Sequence, residues 1–232
     1  MDGNITMTSS ETRPRAMAVS LPEYREACAF YGRNLKRVDE VLRGLCRDHP
    51  RHADRAWVHA KVLLLIGRGF ASGIERQIPS LDGPGSSIWE ISKLLHRRHR
   101  NVDLLLERLA RVAESPDSTT PKRLRSIVVE HGRFCTLLSE LTKRKRARSF
   151  AAKYLHFHCP VVPIYDQRAY DRARKLRPQP WQLEGFSPLE GADPHYSCYV
   201  QCFWHVYNSL PSVDAGAKVR LVEVYLGNLA GT

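Results

Sequence analysis

Asp166 is the residue with the most chemical potential in this sequence. The apolar, proline-containing run Pro160-Val161-Val162-Pro163-Ile164-Tyr165 delivers it to the start of a helical segment, Gln167-Arg168-Ala169-Tyr170-Asp171-Arg172. An aspartate there can serve as an N-cap, which stabilises a helix by about 1 kcal/mol. It can also be a carboxylate that a stiff linker holds where free N–H groups and the helix dipole attract negative charge. A well-placed carboxylate of that kind stabilises an oxocarbenium-like transition state. The two roles are compatible, since one oxygen can cap while the other faces a substrate.

Two flanking stretches extend this centre. Upstream lies Lys143-Arg144-Lys145-Arg146-Ala147-Arg148, followed by Ser149. Basic side chains at a helix N-terminus combine with free backbone N–H groups to attract phosphate, although such a run can also be a solvated surface. Next comes Phe150-Ala151-Ala152-Lys153-Tyr154-Leu155-His156-Phe157-His158, whose small alanines permit close helix packing. Lys153, Tyr154, His156, His158 and Tyr165 are polar and aromatic candidates for a pocket lining. His156 and His158 differ by two positions, so on a helix only one of them readily faces such a pocket. Either histidine can instead be a hydrogen-bonded packing residue.

A third stretch carries Arg68, Ser72, Glu75 and Arg76 at offsets of 4, 7 and 8, one face of an otherwise apolar helix. Buried polar groups need partners, so this stripe forms either an ion-pair network or a pocket lining. Gly67, Gly69 and Gly73 permit close approach there. His195, Cys198, Cys202 and His205, spaced by 3, 4 and 3, share another helical face. Cysteine and histidine ligate zinc, but one straight helix cannot wrap four ligands around a metal. Core packing is the better reading, and no metal or cofactor is expected.

The elements that must position these residues read as helices. Periodicity predicts segments from Pro22 to about Cys46, about Ala53 to Gln77, Ile88 to about His99, Val102 to Glu114 behind an Asn101 cap, and Pro121 to about Leu141. Further segments follow at Arg148–His158, Gln167–Leu176, His195–Ser209 and Asp214–Leu226. No strand ladder or internal repeat is evident, so the fold class is all-α. Residues 1–20 read as a disordered tail. Residues 21–232 read as a single helical domain, with room for two lobes and a cleft between them.

Composition narrows the partners. The 36 Lys and Arg against 24 Asp and Glu leave a net charge of +12, which favours a polyanion. The longest apolar run, Val62–Ile66, is too short to span a membrane. The first twenty residues lack a signal-peptide core. Six cysteines without a Cys-x-x-Cys pair fit free thiols in a reducing compartment, and the expected location is the cytoplasm. Trp57, Trp89, Trp181 and Trp204 read as core or loop anchors, with Trp181 also able to wedge into DNA.

The run from Lys143 to Arg177, with its small-residue helix and Pro163-Ile164-Tyr165-Asp166 opening the next helix, resembles the helix-hairpin-helix DNA glycosylase superfamily. The resemblance covers about 35 residues. It implies a monomeric helical glycosylase that needs no cofactor and acts on double-stranded DNA with a modified base flipped out. Asp166 takes the catalytic aspartate position, and Lys143, Arg144, Lys145, Arg146, Arg148 and Ser149 take the DNA-gripping hairpin. The hairpin is degenerate, because no glycine occurs between Gly132 and Gly185. The catalytic lysine of bifunctional members falls on Arg148 or Ser149, which implies a monofunctional enzyme, although Lys153 leaves a displaced amine nucleophile open. The iron–sulfur cysteine loop of some members is absent. Gly67-Arg68-Gly69-Phe70-Ala71 with Ile74-Glu75-Arg76 and Lys153–His158 is similar to anti-phage glycosylases that excise sugar-modified cytosine. A helical DNA-binding protein in which Asp166 is only a cap is the alternative.

Overall fold

The computed structural model describes residues 17–67, 74–78, 86–114, 121–142, 147–177, 186, 189–211 and 215–227. These form ten α-helices: α1 Leu21–Asn34, α2 Lys36–Asp48, α3 Arg55–Gly67, α4 Ser86–Arg97, α5 His99–Glu114, α6 Pro121–Leu138, α7 Arg148–His158, α8 Gln167–Leu176, α9 Pro194–Ser209 and α10 Ala215–Gly227. A 3-10 turn spans Ile74–Gln77, and none of the described residues is in a strand. The all-α expectation is met.

Local chemistry sets several helix starts. Ser20 caps α1, with Pro22 in the first turn, where a missing N–H costs nothing. Asp166 and Asp193 cap α8 and α9 in the same way. Asn101, expected as a cap, instead lies exposed inside α5, which begins at His99.

The helix expected from Pro22 to Cys46 breaks at Leu35. The hydrogen bonds run on through Leu35 N–H to Tyr31 O and Asp39 N–H to Leu35 O, so the break is a change of direction. Its cause is tertiary. α1 buries Tyr24, Ala27 and Tyr31 and packs on α10, whereas α2 buries Asp39, Leu42 and Cys46 and packs on α7. Of the helix expected through Gln77, the described part is α-helical over Arg55–Gly67 and 3-10 over Ile74–Gln77.

Helices α1, α8, α9 and α10 pack together on one side, and α3 on α4 and α5 on α6 on the other. Helix α7 joins the two groups through α2, α3 and α6. Phe150 to Phe157 are eight successive buried residues, so α7 is enclosed on all sides. Each fully buried Phe there contributes about 1.5–3 kcal/mol. Ala151 and Ala152 have no exposed surface, as close packing requires. Gly132 of α6 lies against the backbone of Gly191 and Ala192, where a Cβ would collide. That contact seats the turn before α9, in which Gly191 takes a φ of 76°. Of the tryptophans, Trp204 is buried, while Trp57 and Trp89 stand at the surface, contrary to the anchoring expectation. Trp181 lies outside the described residues.

Candidate catalytic site

The site is built on the chain that leaves α7 and enters α8. Four backbone groups in the middle of this linker are captured by side chains. His156 Nδ1 donates to Val162 O over 2.8 Å, and Tyr196 OH donates to Pro163 O over 2.7 Å. Tyr199 OH donates to Ile164 O over 2.7 Å, and Ile164 N–H donates to Glu223 Oε1. Burial raises both tyrosine hydroxyls well above 10, so they stay protonated donors. Burial also holds His156 well below 6.5, so its ring is neutral. With the proton on Nδ1, Nε2 accepts from Arg43 Nη2 at 3.3 Å.

Glu223 belongs to a buried ionic group on α10. Arg220 Nε donates to Asp39 Oδ2 at 2.8 Å, and its Nη1 to Glu223 Oε2 at 3.4 Å. One guanidinium thus faces two buried carboxyls. Burial pushes Glu223 up to about 8, against the pull of Arg220 and the Ile164 N–H.

The braced linker sets Asp166 in an extended conformation, with φ −135° and ψ 142°. Its Oδ1 accepts from Arg168 N–H at 2.9 Å and Ala169 N–H at 3.3 Å, while the residue is exposed to solvent. Lys153 of α7 lies within electrostatic reach of Asp166, Arg220 and Glu223. Burial pulls its amine down to about 8; Asp166 and Glu223 oppose the shift and Arg220 adds to it. At neutral pH about a tenth of this amine is uncharged.

Tyr165 is buried beside the carboxylate. Its OH donates to Gln167 Oε1 at 2.7 Å and lies 3.0 Å from His195 Nδ1. The His195 ring packs on Tyr170 at 4.6 Å, which makes an aromatic cluster next to Asp166. Arg168, Arg174 and Lys175 are exposed on α8. Arg172 is not available in the same way, since it pairs with Glu23 and donates to Tyr225 O.

The structure therefore sets Tyr165 next to Asp166, keeps Lys153 within its electrostatic reach and takes other candidates elsewhere. Tyr154 is fully buried, bonded through its OH to His52 Nε2 at 2.7 Å and packed on Phe134. His156 braces the linker, and His158 packs against His52 and Tyr154. Arg148 Nε is bound to the fully buried Asp193 Oδ2 at 2.7 Å, so this arginine ties α7 to the cap of α9. Ser149 is half-buried in the first turn of α7. Lys143, Arg144, Lys145, Arg146, Arg68 and Ser72 lie outside the described residues, as do the side chains of Glu75 and Arg76. The backbone of Glu75 and Arg76 forms the short 3-10 turn, separate from α3, so the expected single helical face does not extend through them.

Sequence reasoning missed His195 and Tyr170 as neighbours of Asp166, and it missed Tyr196, Tyr199 and Glu223 as braces. The only available signal was the tyrosine spacing on α9, which looked like core. In the Cys/His face of α9, a hydrogen bond from Cys202 pulls the Cys198 thiol down to about 5. Among the described residues, no three His, Cys, Asp or Glu side chains form a group able to hold a metal. No described helix is long and apolar enough to cross a membrane. No family model, curated protein or solved structure matches the chain.

Proposed function

We propose that this protein is a monofunctional DNA glycosylase that hydrolyses the N-glycosidic bond of a modified base in duplex DNA. The observation that carries the reading is the carboxylate of Asp166, exposed at a helix N-terminus, on a linker whose backbone is tied down, beside the buried amine of Lys153. A preorganised carboxylate loses little by reorganisation when positive charge develops on the sugar. The C1′–N bond breaks and the base leaves with its electron pair and takes up a proton. Water orients on Asp166, attacks C1′ and releases a proton, leaving an abasic site. The exposed Arg168, Arg174 and Lys175 flank this point and suit phosphate contacts. Tyr165, Tyr170 and His195 pack into an aromatic cluster beside this point, and an extruded base would stack at its edge. The reaction needs no cofactor. The substrate we favour is glucosylated hydroxymethylcytosine of phage DNA, with a role in anti-phage defence in the cytoplasm.

The partly neutral amine of Lys153 favours a second chemical reading, direct attack on C1′ by the amine. Borohydride trapping of a protein–DNA adduct separates it from hydrolysis. The main test incubates the protein with glucosylated phage DNA, unmodified DNA and oxidised DNA, and scores abasic sites by alkaline cleavage. Abasic sites on one substrate, lost in Asp166→Asn while DNA binding persists, support the proposal. DNA binding without abasic sites on any substrate leaves a non-catalytic DNA-binding protein in which Asp166 is only the cap of α8.

A further inference from the structure

A cavity of about 480 Å³ lies at the C-terminal end of α7, between α2 and α5. None of the residues gathered at Asp166 lines it. Its volume falls within the range of small-molecule sites, roughly 300–1,000 Å³. Arg43, Arg47 and Arg51 form one wall, Asp103 and Glu107 face them, and His158 closes the end with Phe157. Both acidic residues already have partners. Asp103 Oδ1 bonds to His52 Nδ1 at 2.7 Å, and Glu107 Oε1 to Arg51 Nη1 at 2.6 Å.

The basic groups are not all satisfied. Arg43 Nε, His158 Nε2 and Lys61 Nζ are buried without a hydrogen-bond partner. Lys61 has no exposed surface, and it acts electrostatically on Cys46 and His158 of the lining and feels Asp103 there. A buried donor left unpaired costs about 1–3 kcal/mol. Two of these atoms belong to residues that line the cavity, where a ligand explains them better than chance, and all three can donate a proton. A ligand with several acceptor oxygens and negative charge matches them. Arg43 and His158 are lining residues, and Lys61 stands within electrostatic reach of His158.

We infer that this cavity binds a phosphate monoester, whose oxygens take the N–H groups of Arg43, His158 and Lys61, with Arg47 at the mouth. The inference is independent of the reaction at Asp166. Phosphate is a compact acceptor that uses several donors at once, and arginine suits it geometrically. The Phe157 ring leaves apolar room for a base beside the phosphate.

Calorimetry on the whole chain tests this with inorganic phosphate, deoxycytidine 5′-monophosphate and deoxycytidine. Saturable binding of at least one phosphate compound, and none of deoxycytidine, is expected. Lys61→Met and Arg43→Gln should each weaken it about tenfold or more, while Asp166→Asn binds like the wild type. Lys61→Met replaces an unpaired buried amine with an apolar side chain, so the unliganded variant should melt no lower than the wild type. Loss of binding in a variant that stable is not unfolding. A nucleotide that binds about tenfold tighter than inorganic phosphate identifies a nucleotide site, and equal affinities identify a free phosphate site. The proposal is overturned if neither phosphate compound binds, if both variants bind normally, or if a short DNA duplex displaces the phosphate and so assigns the cavity to a DNA surface.

Discussion

Lys153 and His156 look from α7 toward the linker and α10, whereas Tyr154 and His158 look toward α2, α3 and α5. On the first side the circuit is nearly closed. Glu223, Tyr196, Tyr199 and His156 hold four backbone groups between Val162 and Ile164, Asp39 Oδ1 alone of the ionic group lacks a hydrogen-bond partner, and Asp166 emerges to solvent. On the second side the circuit is open. His52 joins Asp103 to Tyr154, but Lys61 Nζ and His158 Nε2 end without partners next to a cavity. Near-complete satisfaction fixes a backbone and presents one reactive group, while partial satisfaction beside a cavity leaves binding capacity unused. One buried helix therefore separates a catalytic candidate from a ligand-binding candidate.

Acid should break the contrast most strongly. Burial holds His52 down to about 4 and His158 and His156 well below 6.5. In the unfolded chain these rings take up protons near 6.5. Below that value the unfolded state binds more protons through these three rings than the folded state does. Glu223, raised to about 8, opposes them, because its folded carboxyl is already protonated where the unfolded one is not. Three rings outweigh one carboxyl, so stability falls as acid is added below about 6.5. Urea melts across this range check the slope, and a flat profile would show that the rings are charged in the folded state.

The next largest effect should come from opening the nearly closed circuit. Arg220→Met leaves Asp39 buried without its guanidinium and removes a donor to Glu223, which should cost about 3–5 kcal/mol in denaturant unfolding. A loss under about 1 kcal/mol would mean that the proton on Glu223 suffices and Asp39 does not need the guanidinium. Base release should then weaken too, because Glu223 holds Ile164. Asp166→Asn should lower base release about 10²–10³-fold. The amide still accepts both capping bonds, so stability should change little.

The smallest expected effect distinguishes bracing from mere packing. Tyr199→Phe removes one hydroxyl from Ile164 O and keeps the ring. It should cost about 1–2 kcal/mol of stability and slow base release, with DNA affinity unchanged. Equal base release in this variant would show that the linker does not depend on its hydroxyl braces.

Much of this arrangement was legible locally. The limits of α7 and α8, the extended linker between them and the capping position of Asp166 all follow from periodicity, proline placement and side-chain type. The break at Leu35 was not legible, because it depends on which neighbour each half meets. Nor was the fate of Tyr154 and His156, whose types suit a pocket equally well as a core. Their partners lie far away in sequence: 102 positions separate Tyr154 from His52, and 113 separate His156 from Arg43.

The sequence by itself determined that the chain is helical and basic, and that an aspartate opens α8 after a stiff linker. Those properties reside in neighbouring residues and in composition. Only the tertiary structure decided which buried polar groups meet. It brought Asp39, Arg220 and Glu223 into one cluster across 181 positions and left Lys61 without a partner. Hydrogen bonding and desolvation act over a few ångströms in space, and helical periodicity carries no record of which distant residues will come that close.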